Sequence, residues 1–299
     1  MAENVKSLRR RLRSIKNTKQ ITRAMEMVSA AKLRRAQESL MAGRPYAAKL
    51  QEFLGRLAGS AEARASNPLF ETRDVKRRLL VVVTADRGLA GGFNAQIIKR
   101  AETYLRESTV ATDVAAVGRK GADYFRRPRK GISTDMVYSV TDLAGKLSSD
   151  RSNEIADKLQ ELFLSGGYDE VVLLYNKFIS MISYRVTVEQ LLPLDPDALL
   201  QGSESGAGDD SRNVDYIMEP DQDAVFGSLI PRFVRSKVYI MLAEMLTSEH
   251  SARMVAMSAA TKNCQELIDS LTLAMNKARQ AAITKEILEI VGGAEALKG

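Results

Sequence analysis

Glycine and proline are absent from residues 232–291, a run of 60 positions bounded by Pro231 and Gly292. Within it Val234, Val238, Met241, Met245, Ser248, Ala252, Val255 and Ala259 advance in alternating steps of four and three. After one five-residue slip, a second track runs through Cys264, Ile268, Leu271, Met275, Ala278 and Ala282. This spacing predicts a single helix with a coiled-coil seam, about 90 Å long at ~1.5 Å per residue. A domain of this chain length is only about 40–50 Å across, so the helix is expected to extend beyond its own domain. Alanine and serine on the seam imply closely approaching backbones.

Residues 1–42 also lack both breakers and predict a helix of about 63 Å. Val5, Leu8, Leu12 and Ile15 make one seam, which Ile21, Met25 and Val28 resume after a slip. Gly43-Arg44-Pro45 predicts a kink or break, with helical pattern returning to about Ala58. Two long seamed helices in one chain pair most economically with each other, antiparallel, with the intervening domain at their base.

Between them the pattern alternates strand and helix. Leu79–Val83 reads as a buried strand, followed by a glycine-rich turn and a helix over Ala95–Arg106. Val114–Val117 reads as a second strand, leading through Gly118 to a helix near Gly121–Phe125, and Ile132–Val140 as a third. Asn153–Leu164 reads as a helix, Glu170–Tyr175 as a strand continuing towards Ile179, and Tyr184–Leu191 as a last or edge strand. The fold class is α/β and α+β combined: a long antiparallel coiled coil of the terminal helices plus a small Rossmann-like, mostly parallel α/β domain. The expected divisions are 1–58, N-terminal coiled-coil helix; 75–195, α/β domain; 196–219, loop; and 220–299, C-terminal helix. Gln201–Arg212, rich in Gly, Ser and Asp, reads as a solvated loop.

Composition changes this picture in one respect. The chain of 299 residues carries a formal charge of +7, but residues 1–58 hold 14 Lys/Arg against four Asp/Glu, a net +10, and the rest is −3. The basic segment therefore seeks an acidic partner, whether nucleic acid, anionic lipid or protein. Leu8, Leu12 and Ile15 commit part of the basic face to packing, which favours a solvated or protein-facing role over DNA phosphates. The N-terminus has no apolar signal core and no run of 18 apolar residues follows, so a chain that is cytosolic or peripheral to a membrane is expected.

Candidate chemistry is sparse. The turn containing Asp86, Arg87, Gly88, Gly91 and Gly92 lies between a strand and a helix, where α/β proteins cradle phosphates. It has neither Gly-x-Gly-x-x-Gly nor Gly-Lys-Ser/Thr, so glycines allowing close strand–helix packing are the favoured reading. His250, the only histidine, cannot form a His–His metal motif and reads as a helix-surface or partner-facing residue. Cys264 reads as a seam filler. On the residues alone, a basic coiled-coil nucleic-acid binder and a nucleotide-dependent α/β enzyme remain open beside a non-catalytic assembly component.

Three blocks carry a family resemblance. Ser14–Leu33, with Lys19-Gln20-Ile21-Thr22-Arg23-Ala24-Met25 at its centre, resembles the first helix of the gamma subunits of F-type ATP synthases. Asp86-Arg87-Gly88-Leu89-Ala90-Gly91-Gly92-Phe93-Asn94 resembles their central motif, with Ala90 where cysteine is common. Asn276-Lys277-Ala278-Arg279-Gln280-Ala281-Ala282-Ile283-Thr284 and the residues to Ala294 are similar to their C-terminal signature.

The resemblance implies a non-catalytic rotor shaft that couples proton flow through a membrane ring to conformational cycling of the catalytic beta subunits. It implies as partners the alpha and beta subunits of the hexameric head, the epsilon subunit and the c-ring, with no cofactor, nucleic acid or small-molecule substrate. It implies beta-subunit contacts at Arg279 and Gln280, and acidic beta loops facing Met25 with Lys19, Arg23 and Lys32. Ile283, Ile287 and Ile290 would form an apical bearing, while the 86–92 turn is structural. Chloroplast members carry an inserted cysteine pair that has no counterpart in this sequence, so thiol regulation is not expected. A bacterial protein, peripheral on the cytoplasmic face of the membrane, is the implied setting.

Overall fold

The computed structural model describes the whole chain except residues 1–4, 58–66, 129, 144–146, 198, 200–218, 220 and 297–299. The expected loop over Gln201–Arg212 lies outside the described residues. Two compact units result, one of Ala31–Ala252 and one of Met1–Ala30 with Arg253–Gly299. Two long helices contribute to both: α1 (Val5–Leu57) and α5 (Gln222–Ala296).

The larger unit is built on a five-stranded sheet. Along the chain its elements are β1 (Arg77–Val83), α2 (Phe93–Glu107), β2 (Ala111–Val117), α3 (Arg119–Phe125), β3 (Met136–Val140), α4 (Ser149–Leu164), β4 (Glu170–Ser180) and β5 (Ser183–Leu192). The strand order is β3-β2-β1-β4-β5. The first four strands are parallel and β5 is an antiparallel edge. Val81 of central β1 lies opposite Ala115 and Leu173.

Both faces of β1 are covered, which is why it reads as an unbroken apolar run and not as an alternation. Leu80 and Val82 pack with Val114, Ala116 and Leu174 against Ile97 and Ala101 of α2. Leu79, Val81 and Val83 face the other way, in a core completed by Ile155 and Leu159 of α4, Leu54 of α1 and Val234 of α5. The third strand begins at Met136, four residues later than its expected start at Ile132. α4 begins earlier than expected because the Ser148 hydroxyl accepts from Arg151 N at 3.3 Å and caps it.

Of the kink or break expected at Gly43-Arg44-Pro45, the break does not occur: α1 runs as one helix through Pro45. Arg44 and Pro45 are exposed, while Leu40, Leu50 and Leu54 are buried and hold the helix on either side. Gly43 serves a crossing. A Cβ there would come within 3.0 Å of Tyr239 Cε1 and 3.1 Å of Ile240 Cδ1, so its absence lets α1 and α5 approach closely. Arg44 then reaches Glu244 at 3.1 Å. α5 likewise starts ahead of Pro231 and runs past Gly292.

His250 is a second correction. It is 7% exposed, because the β4–β5 hairpin lies over this stretch of α5. Ser248 Oγ donates to Asn176 O at 3.2 Å, and Ser251 Oγ donates to Met181 O.

In the smaller unit the expected seam slips are absent. Leu8, Leu12, Ile15, Lys19, Thr22, Glu26 and Ser29 are buried or half-buried in unbroken steps of four and three. Met257, Thr261, Cys264 and Ile268 answer them from α5. Ile21 and Val28 are therefore outside, at 60% and 56% exposure, and Val255 and Ala259 are exposed too. Helical periodicity was continuous all along; the seam passes through polar side chains that pair across it. Thr261 Oγ1 donates to Thr22 Oγ1 at 2.9 Å, and Lys19 Nζ donates to Gln265 Oε1.

Two predictions follow the packing. At Gly118 φ is +101° and an added Cβ would lie 1.9 Å from Thr84 O. Gly118→Ala is expected to lower unfolding free energy by about 3 kcal/mol or more. Gly227→Ala, in helix with nothing within 4 Å, should raise it by about 0.5–1 kcal/mol. Urea melts of both variants check the contrast. Burial, only partly offset by Arg44, pushes the Glu244 carboxyl up. A raised folded-state value stabilises the protonated form, so this contribution is present at acid pH and lost as pH climbs through and above the ordinary glutamate range. Glu244→Gln should flatten that decline, and an unchanged urea-midpoint profile from pH 4 to 8 would refute it.

Candidate functional site

The turn after β1 occupies the position where a parallel sheet presents a phosphate cradle. Its hydrogen bonds run inward. Asp86 Oδ1 accepts from Arg119 N at 2.9 Å and from Asp142 N at 3.1 Å, so its own carboxylate takes the amides an anion would need. Ala85 N donates to Asn94 Oδ1 at 2.9 Å, and Gly121 N donates to Thr84 Oγ1 at 2.8 Å. Gly91 carries φ +58° and Leu89 φ +64°, turning the chain into α2. A Cβ on Gly88 would meet only Lys120 Cε at 4.0 Å, and one on Gly92 the Gln96 amide nitrogen at 3.4 Å. Thus Asp86, Arg87, Gly88, Gly91 and Gly92 lie together in a turn that ties β1 to the starts of α2 and α3.

The crevice beside that turn, between the ends of β1 and β4, is where such sheets reverse their order and usually bind ligands. Asn176 is fully buried in it. Its side-chain amide donates to Phe93 O at 3.4 Å, its backbone carbonyl accepts from Ser248 of α5, and its buried Oδ1 has no hydrogen-bond partner among the described residues. Among the described residues no cluster of His, Cys, Asp and Glu could hold a metal ion.

The second candidate surface is the outside of the smaller unit. With Lys19 opposite Gln265 and Thr22 opposite Thr261, the register sets Val5 opposite about position 279. Beyond it α5 continues with no described α1 residue alongside, and residues 281–294 are all exposed. Arg279 and Gln280 lie where the pairing ends, both exposed, and Arg279 makes no ion pair among the described residues. Ile283, Ile287 and Ile290 follow at helical spacing on the single stretch, with Ile290 at 71% exposure.

Of the basic side chains, Lys19 is half-buried and engaged by Gln265. Arg23 is exposed and pairs with Glu26 at 3.3 Å, while Met25 is half-buried between them. Lys32 is exposed and falls in the larger unit. The structure moves Ile21 and Val28 from the seam to the outside, and adds Met27 on α1 and Leu267 and Leu273 on α5 as exposed apolar residues. The signal for them was present as apolar residues one step out of phase with Leu8, Leu12 and Ile15. Among the described residues no helix is long and apolar enough to cross a membrane.

A family profile described as ATP synthase matches residues 4–297. The ATP synthase gamma chain of Moorella thermoacetica is 47% identical over 295 residues, covering 99% of each chain. That of Geobacter sp. strain M21 is 45% identical over 303 residues, also covering 99% of each. Among solved structures, a chain of the Tetrahymena thermophila mitochondrial ATP synthase central stalk and c-ring has a TM-score of 0.59 at 26% identity, covering 80% of this chain and 99% of that one. A chain of the Euglena gracilis mitochondrial ATP synthase, in an OSCP/F1/c-ring structure, shares the fold with a TM-score of 0.67 at 20% identity, covering 98% and 94%. The chain belongs to the family of ATP synthase gamma chains.

Proposed function

We propose that the chain works as the central rotor shaft of a bacterial F-type ATP synthase and carries no catalytic chemistry of its own. Proton flow through the membrane c-ring turns it, and its turning drives the catalytic beta subunits through their conformations. The observation that carries this reading is the outward placement of apolar side chains on a two-helix unit. Ile21, Met27, Val28 and Leu273 are exposed beside the seam, and Ile283, Ile287 and Ile290 are exposed on the single stretch beyond it. Apolar surface of that extent marks an interaction site, and a shaft enclosed by the alpha–beta hexamer would cover it.

The two helices present unlike faces around the pair: basic on α1, mixed at Arg279 and Gln280, and aliphatic at the end of α5. Catalytic subunits arranged around such a rod meet different chemistry at any one angle. Each contact favours a different conformation, so rotation changes nucleotide affinity at sites the shaft does not touch. In this assignment Lys19, Arg23 and Lys32, around Met25, face acidic loops of beta, and Arg279 and Gln280 contact beta loops. Ile283, Ile287 and Ile290 turn in an apolar bearing, and the α/β unit meets epsilon and the c-ring. The assembly is peripheral on the cytoplasmic side of the bacterial membrane.

Tagged full-length chain is expected to co-purify with alpha and beta subunits, with ATPase activity in the complex and none in the chain alone. Salt-sensitive DNA binding by the isolated chain, with no such co-purification, would favour a nucleic-acid role instead. Reversing Lys19, Arg23 and Lys32 to Glu should lower proton-driven ATP synthesis by roughly ten-fold while the complex still assembles. Unchanged synthesis in membrane vesicles would remove the electrostatic assignment. Ile283→Asp with Ile287→Asp should weaken retention of the chain in the purified head, read as its loss on gel filtration.

A further inference from the structure

A groove of about 400 Å³ lies between the 42–46 stretch of α1, the first turn of α4 and the 232–239 stretch of α5. All of its walls belong to the larger unit. None of the roles proposed above uses it.

Its lining combines polar, cationic and aromatic side chains. Among the lining residues, Ser149 opens α4, a helix of 16 residues. Ser148 caps the amide of Arg151, which leaves the Ser149 and Asp150 amides outside the helix's own bonding. Arg235 is held by Asp157 through two bonds, Nε to Oδ1 at 2.6 Å and Nη2 to Oδ2 at 2.9 Å, so its orientation is fixed and its charge offset. Arg232 is exposed and makes no ion pair among the described residues. The rings of Tyr46 and Tyr239 also line the groove.

Ser236 is the telling residue. It lines the groove and is 8% exposed, yet its hydroxyl makes no hydrogen bond among the described residues. Elsewhere in the same helix Thr247 returns its proton to Ala243 O at 2.7 Å, the usual solution for a buried helix hydroxyl. A buried donor left open towards a cavity with a helix N-terminus and a guanidinium beside it suits an oxyanion. Arg232, the α4 dipole and two or three donors together match a tetrahedral dianion better than a flat carboxylate. The volume exceeds what a bare ion fills and falls in the range of small-ligand sites.

We propose that this groove binds a phosphate group carried on a small organic body. The phosphate would lie among Arg232, Ser236 and the α4 N-terminus, and the body would rest against Tyr46 and Tyr239. The phosphate could belong to a soluble monoester or to a lipid headgroup, and the test separates the two.

Full-length chain is titrated calorimetrically with adenosine monophosphate, inorganic phosphate and acetate, and floated with vesicles containing phosphatidic acid. Saturable binding of the nucleotide is expected, tighter than inorganic phosphate and much tighter than acetate. Arg232→Ala should weaken it by about ten-fold and Ser236→Ala by about three-fold. Lys285→Ala, at an exposed side chain distant in sequence, should not change it, and melting curves would show that each variant is folded. Vesicle binding without soluble binding, lost in Arg232→Ala and kept in Lys285→Ala, assigns the phosphate to lipid and supports the site. No saturable binding of any probe at millimolar concentration overturns the proposal. So does binding equal in Arg232→Ala and Lys285→Ala, or acetate binding as tight as phosphate.

Discussion

Phe226, Ile230, Phe233, Val234, Val238, Met241, Leu242, Met245 and Leu246 recur every three or four residues along α5, and all are buried against one face of the sheet. Each such side chain contributes about 1.5–3 kcal/mol when fully removed from water, so this stripe sets the conditions the rest of the larger unit must meet. It keeps α5 helical through Pro231. It brings Tyr239 to α1, where only glycine fits at position 43, and it carries Ser248 to the carbonyl of Asn176. The last contact also decides chemistry. In a sheet with the strand order of a ligand-binding fold, α5 is bonded to the backbone at the customary crevice, and Asp86 takes the amides at the turn beside it.

The smaller unit follows a different logic. Its seam carries Leu8, Leu12 and Ile268, but also Thr22, Ser29 and Thr261. One hydroxyl pair and a lysine–glutamine bond contribute less than aliphatic knobs would. Much of the aliphatic surface is instead on the outside. The pair is thus weakly self-sufficient and suited to surroundings that supply the missing contacts.

The fold was legible wherever one periodicity ruled. β1 and β4 read as strands because their apolar runs are short and β-branched, and α2 and α4 because their apolar faces repeat at helical spacing. The coiled coil was legible in outline from the missing breakers. The seam's phase was not. Choosing apolar residues over constant spacing put Ile21, Val28 and Val255 inside, whereas unbroken steps of four and three select Thr22 and Ser29. Gly43 and Pro45 read as a breaker because the need for a close crossing at Tyr239 is tertiary information. His250 was misread for the same reason, since nothing local in Glu249-His250-Ser251 reveals that the Met181 hairpin lies above it. The 86–92 turn reads from sequence as a tight turn between strand and helix, while the specific clamp of Asp86 on Arg119 and Asp142 needed coordinates.

The bare end of α5 has a cost for the cell that makes it. Ile283, Ile287, Leu288, Ile290 and Val291 stand in water on a single helix, which is the kind of surface that chaperones hold and proteases find. A copy produced in excess of its assembly partners would therefore be short-lived, and the matching of subunit numbers could be enforced by disposal of the unassembled surplus.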